Sequence, residues 1–396
     1  MRNAAAVFLG SLIAVFAYAE PTYREELLFP LQPKHVHSSS IAESPNGDLL
    51  ACWFHGSGER KSPDVIIQGS RLRKGEATWS DAFLLADTPD FPDCNPVLFI
   101  DPRNELWLFW IAVLSERWED SLLRYRKSTD YEGDGPPKWY WQDDMLLKPG
   151  KDFAVEVTKG LEAILPQLPA VNEPRGMEFR EIVRQVAADA LDLSKQQRGW
   201  MTRAQVVVLP TGRILIPLYS DGYLLGLMAI SDDQGQSWRA SSPIPGTALN
   251  QPSIARKKDG TLVAYMREED DIKHRVLTSE SKDDGETWSV AQWTDIPNPN
   301  SSLVALTLKD GRWILVYNDS EEARDTLVVA LSDDEGNSWK WRRHLEKQKG
   351  GAFHYPFAIQ SKDGLIHVSY TYTPSDDSGH TIKHVAFEAD WILVGD

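Results

Sequence analysis

Ser231-Asp232-Asp233-Gln234-Gly235-Gln236-Ser237-Trp238 returns as Ser281-Lys282-Asp283-Asp284-Gly285-Glu286-Thr287-Trp288. It returns again as Ser332-Asp333-Asp334-Glu335-Gly336-Asn337-Ser338-Trp339. The shared pattern is Ser-x-Asp-x-Gly-x-x-Trp, and its copies stand 50 and then 51 residues apart. A supersecondary unit repeated at that period is a propeller blade. Each copy reads as a hairpin turn: Asp ties the backbone amides, Gly supplies positive φ, and Trp returns between sheets. Degenerate copies stand at Ser128-x-Asp130 with Trp139 and near Gly75 with Trp79.

A second repeat counts the blades. Turns followed by apolar strands occur at Asn46-Gly47, Arg103-Asn104, Thr211-Gly212, Asp259-Gly260, Asp310-Gly311 and Asp363-Gly364. Each lies between short alternating runs, the signature of a hairpin. Six turns predict an all-β chain forming a six-bladed β-propeller; a seventh blade lacking such a turn is the alternative. One interval is too long, since Asn104 and Gly212 are 108 residues apart. The excess, Lys151 to Arg198, carries Phe179, Ile182, Val183, Val186, Ala187, Ala190 and Leu191 at helical spacing. This predicts a small helical insertion between blades two and three that covers a pocket, decorates the rim or mediates assembly.

The first nineteen residues read as a secretory signal. Arg2 gives a positive start, Val7 to Phe16 an apolar core, and Ala17-Tyr18-Ala19 a cleavage site before Glu20. The domain expected after cleavage is 20–396, exported, periplasmic or secreted, and not inserted in a membrane. A net charge of −16 argues against nucleic acid, which needs a basic surface. Two cysteines, Cys52 and Cys94, make no disulfide scaffold, and free thiols are the preferred reading of the pair. No metal or cofactor signature is found; His35 and His37 alternate across a strand and form no obvious ligand pair.

In a propeller the first strand of each blade lines the axis, so the segments opening those strands face one another. They are His35-Val36-His37-Ser38, Asn95-Pro96, Thr202-Arg203, Gln251-Pro252, Asn298-Pro299-Asn300-Ser301 and His354-Tyr355-Pro356. Polar side chains from all six predict a ligand pocket on the axis. Strand-end caps and turns are the structural alternative.

The spaced Ser-x-Asp-x-Gly-x-x-Trp turns resemble the Asp boxes of sialidases, where they are structural. The resemblance covers the whole propeller but not Lys151 to Arg198, and extends to the axial segments. Asn250-Gln251-Pro252-Ser253 with Arg267 is similar to the sialidase segment supplying a Glu and a substrate-binding Arg. Arg324 resembles a second such Arg, Tyr355 stands where sialidases place their Tyr nucleophile, and Asp64 where they place their acid/base Asp. Two departures stand out. His37-Ser38-Ser39 replaces the Arg segment that completes a three-Arg clamp, and Gln251 replaces the Glu that activates the Tyr, a role an amide cannot fill. A closer likeness is to bacterial and plant BNR-repeat sialidase-like proteins, carried by His37 to Ser40, Asn95 to Phe99, Pro297 to Pro299 and Ile382 to His384.

The resemblance implies catalytic roles for Asp64 and Tyr355; His37 joins them as a candidate acid/base from its place at a blade opening. Arg267 and Arg324 are implied to grip a carboxylate, with Gln251, Arg203, Asn95, Asn300 and His354 as further substrate contacts from the axial segments. Each has a plainer reading. The arginines could pair with Glu268, Glu269 or Glu322 at the rim, Asp64 could cap a turn after Pro63, and His37 and Tyr355 could fill the core. Three functions follow: a glycoside hydrolase releasing a terminal acidic sugar, sialic acid or a relative; a polysaccharide lyase on a uronate, with His37 and Tyr355 as base and acid; or a glycan-binding propeller without turnover.

Overall fold

The structure, a computed structural model, describes residues 21–167, 174–247, 249–269, 272–376 and 378–396. Six antiparallel sheets stand side by side. Their inner strands begin at His35, Asp93, Met201, Leu249, Val304 and Ala352, and each blade touches the next around a closed ring. The chain is an all-β, six-bladed β-propeller, and the blades are numbered I to VI in that order. All six turns expected from the sequence join the first and second strands of a blade. In blade III the inner strand is broken into Met201–Thr202 and Val207–Val208.

Blade VI is completed from the far end of the chain. Its outer strand is Tyr23–Leu27, which pairs antiparallel with Thr381–Phe387, Tyr23 opposite Phe387 and Leu27 opposite Lys383. Tyr23 stacks on Trp391 with ring centroids 4.4 Å apart. Glu26 accepts hydrogen bonds from His384 and, across to blade I, from Trp79, each at 2.9 Å.

The three Asp boxes close the third-to-fourth-strand turns of blades III, IV and V. In the last, Asp334 accepts from Ser332 Oγ at 2.8 Å and from the Ser338 amide at 2.9 Å. Gly336 has φ of +80°, and a Cβ there would lie 2.3 Å from the Tyr265 hydroxyl. The motif therefore requires glycine twice, for conformation and for contact with the preceding blade. In blade III, Trp238 meets Trp107 of blade II edge-on at 6.2 Å. The boxes are wedges between blades, and the core is a set of such inter-sheet layers.

The helical insertion leaves the ring between blades II and III. Its helices are α1 (Phe153–Ile164), α2 (Pro174–Asp189) and α3 (Leu193–Gln196). Phe153, Val157 and Leu161 of α1 are buried, and Phe153 packs edge-on against Tyr223 of blade III at 5.3 Å. Gly160 of α1 lies against Pro245 and Gly246, where a Cβ would meet the backbone at 2.9 Å. Cys52 and Cys94 are free and buried, as preferred above. The secretory signal read at 1–19 lies outside the described residues. Among the described residues no helix is long and apolar enough to cross a membrane.

Candidate active site

The segments that open the blades share one backbone device. Ser38, Asn95, Gln251, Asn300 and Tyr355 all have φ between +51° and +58°. In blades I, II, IV and VI this residue sits in a β-bulge, where the register slips between His37 and Ser40, Cys94 and Val97, Asn250 and Ser253, and His354 and Phe357. A bulge leaves a residue out of the ladder and re-aims its side chain. For Gln251 and Tyr355 the left-handed conformation costs about 1–2 kcal/mol, which the surrounding sheet must offset. Left-handed residues at five equivalent places around one hub make that hub the candidate site.

The bulged residues enclose an axial cavity of about 250 Å³. Asn95, Gln251 and Tyr355 line it together with His37, Arg267 and Arg324. Arg267 is held from three sides. Its Nε donates to Asn300 Oδ1 at 2.6 Å, Nη1 to Tyr355 Oη at 2.9 Å, and Nη2 meets Glu269 at 2.9 Å. Arg324 Nη2 donates to the Asn300 carbonyl at 2.5 Å, so one residue anchors both guanidinium groups. Among the described residues Arg324 has no carboxylate partner, and burial, with Arg267 nearby, lowers its pKa. Tyr355 Oη also accepts from Gln251 Nε2 at 3.2 Å, whose own Oε1 is buried without a partner among the described residues.

Three carboxyl groups share the cavity. Glu59 meets His35 Nε2 at 3.1 Å and Glu269 meets Arg267. Among the described residues Asp221 accepts only an amide bond, from Asn250 Nδ2 at 3.0 Å. Its pKa is raised to about 7, first by burial and then by Glu269, with Arg267 opposing. The His37 ring lies 4.1 Å from that of Tyr355 and 4.8 Å from that of His354. Burial foremost, and then the neighbouring histidines and arginines, push both imidazoles well below their ordinary pKa.

Four residues expected in the pocket, Asp64, Arg203, Asn300 and His354, do not line it. Asp64 does not line the cavity. It is an exposed turn anchor, accepting from Ser57 Oγ at 2.6 Å and pairing with Lys34 at 3.0 Å. Those bonds drive its pKa far down and leave it no proton to give. Arg203 is buried behind the cavity wall, donating to the carbonyls of Pro356 at 3.0 Å and Ser39 at 3.4 Å, with its guanidinium 5.0 Å from the Tyr355 ring centroid. It supports Tyr355 from beneath. Asn300 and His354 hold and flank the lining residues.

Sequence reasoning missed Glu59, Trp118, Asp221 and Glu269. Each follows the second strand of its blade, and in an antiparallel blade that end lies beside the opening of the first strand. A polar residue just past each second strand was the available signal.

The titrations make a prediction. His37, His55, His354, His367 and His384 are all depressed, first by burial, His367 to about 3. Below pH 6.5 the unfolded chain takes up protons that these sites refuse, so their contribution to stability is present above 6.5 and lost below it. Asp93 and Asp221, raised to about 6 and about 7, act oppositely. The depressed histidines outnumber the two raised carboxyls, so stability to urea should fall from pH 6 to pH 5. A flat or rising profile over that interval contradicts the assignment of neutral histidines.

The sequence pattern of the BNR repeat-like domain matches residues 47–166 and 189–368. The chain matches no curated protein sequence. In three dimensions it is similar to a protein of unknown function from Dyadobacter fermentans, at 15% identity and a TM-score of 0.67 over 92% of this chain and 99% of that one. The NanB sialidase of Streptococcus pneumoniae, in a K499G mutant form, is similar at 12% identity and a TM-score of 0.66, over 91% and 69%. The leech intramolecular trans-sialidase is similar at 14% and 0.65, over 93% and 71%. These likenesses establish the fold.

Proposed function

This chain belongs to the BNR repeat-like domain family, with the sialidase-like propeller, and from that premise we propose that it is a glycoside hydrolase releasing a terminal acidic sugar, sialic acid or a relative. The observation that carries the proposal is Arg324. A guanidinium facing a cavity beside a second one, without a carboxylate of its own, is completed by an anion from the ligand. A sugar carboxylate fits the planar donors of both arginines. Held there, the sugar presents its anomeric carbon toward Tyr355 Oη, which meets the positive charge that develops as the glycosidic bond breaks. The proton for the leaving oxygen comes from a carboxyl group of the cavity in place of Asp64. Mature residues 20–396 act outside the cytoplasm, on the reading of the leader.

The test is incubation with umbelliferyl glycosides of sialic acid and of uronic acids, and with sialyllactose. Release of free acidic sugar is expected. A lyase is the second reading, favoured by the neutral His37 ring 4.1 Å from Tyr355. It would give an unsaturated product absorbing in the ultraviolet. Binding by calorimetry without product of either kind would replace both with a glycan-binding role.

A further inference from the structure

A second cavity adjoins the axial one. It encloses about 450 Å³ between the helical insertion and blades II and III. The insertion contributes Gln185, Lys195 and Arg198, and the 117–120 segment contributes Arg117 and Glu119. The two spaces share a wall. Trp118 faces the axis while its neighbours on either side face the second cavity, and Asp221 lines both.

The second cavity differs in character from the first. Its charges satisfy one another: Lys195 pairs with Asp189 at 2.6 Å, Arg198 with Asp120 at 3.2 Å, and Arg117 with Glu119 at 2.6 Å. Among the described residues no cation there stands open as Arg324 does. Such a lining offers hydrogen bonds in both directions and suits a hydroxyl-rich, uncharged sugar.

Resting on the glycosidase reading, we propose that the glycan lies across both cavities. Its terminal acidic sugar sits on the axis, the neutral sugar to which it is attached sits under the insertion, and Asp221 at the seam protonates the bond between them. A glycan bound this way carries its linkage past Asp221. In the first step the Asp221 O–H proton passes to the glycosidic oxygen as the bond from that oxygen to the anomeric carbon breaks. The bonding pair stays with the oxygen, which leaves as an alcohol. Tyr355 Oη meets the cation that remains. Water then adds to the anomeric carbon and its proton passes to the Asp221 carboxylate, restoring the acid. Of the three cavity carboxyls, Asp221 alone among the described residues has neither a cation nor a histidine as direct partner, consistent with its raised pKa of about 7.

Two variants test this on two substrates, sialyllactose and an umbelliferyl sialoside. Asp221→Asn keeps the shape of the side chain. It should lower kcat/KM on sialyllactose by about 10²- to 10³-fold, as expected for loss of a general acid. The aryl glycoside should lose far less, because umbelliferone leaves without a proton. The fall in wild-type rate above neutral pH should also vanish in the variant. Gln185→Trp, on the exposed side of α2, should narrow the second cavity and raise KM for sialyllactose about tenfold relative to the aryl glycoside. Equal losses on both substrates in Asp221→Asn overturn the proton-donor role. An unchanged ratio in Gln185→Trp overturns the second cavity as a sugar site. If wild type hydrolyses neither substrate, the glycosidase reading fails and takes this proposal with it.

Discussion

Arg267→Ala is expected to lower kcat/KM on an umbelliferyl sialoside by 10²- to 10³-fold, about 3–4 kcal/mol of transition-state stabilisation. The residue does three jobs through one planar group. It donates to Tyr355 Oη, is fixed by Asn300, and balances Glu269. Alanine removes a donor for the sugar carboxylate and leaves Glu269 in the cavity wall without its partner, a combination worth several kcal/mol at a buried charge pair. Arg267→Lys should recover less than a tenth of the lost rate, since an ammonium cannot reach three fixed partners in one plane. Arg267 also pulls down the pKa of Asp221. Its removal should push the basic limb of the pH–rate profile on sialyllactose, whose leaving oxygen needs the proton, upward, which mere loosening of the fold would not do. Steady-state kinetics across pH, with urea unfolding of the same variants, separates the cases. An alanine variant within threefold of wild type would remove Arg267 from the site.

The largest effect on stability is expected at Trp107. Its side chain is fully buried in blade II, with Phe109 and Tyr125 each 5.5 Å away, Trp238 of blade III edge-on at 6.2 Å, and the Lys127 ammonium 3.7 Å from its ring centroid. A Cβ on Gly235, in the blade III Asp box, would stand 2.6 Å from this ring, so the neighbouring turn is moulded to it. Trp107→Ala should cost about 3–5 kcal/mol, lowering the urea midpoint, because the wedge between two blades cannot collapse into the space. A loss under 1 kcal/mol would show that the blades II and III contact carries little of the stability.

The ring was legible because its signals are local. Ser-x-Asp-x-Gly-x-x-Trp and the Asn-Gly or Asp-Gly turns encode their own hydrogen bonds and positive φ, whatever the rest of the chain does. The cavity was legible where a blade opening displays its polar residue, as at Asn95, Gln251 and Tyr355. It was illegible where side chains depend on distant partners. Asp64 and Glu59 lie in one loop five residues apart, and the choice between them is made by Ser57, Lys34 and His35. Arg203 reads as a ligand-binding cation from sequence, yet its guanidinium is spent on two backbone carbonyls behind Tyr355. Nothing in the preference of Gln or Tyr announces a left-handed backbone, so the bulges that aim Gln251 and Tyr355 were invisible.

Five of the six sheets are made from neighbouring stretches of chain, and the sixth is not. Its clasp joins Tyr23 to Phe387 and Leu27 to Lys383, so it can fasten only after nearly all of the polypeptide has been synthesised. Pairing across such a sequence separation is slow and comes late. Until it forms, blades I and VI remain the loose ends of an unclosed arc, and the hub between them, where His37 meets Tyr355 and His354, stays unassembled. A newly made molecule therefore lacks its complete hub until its last seam is shut.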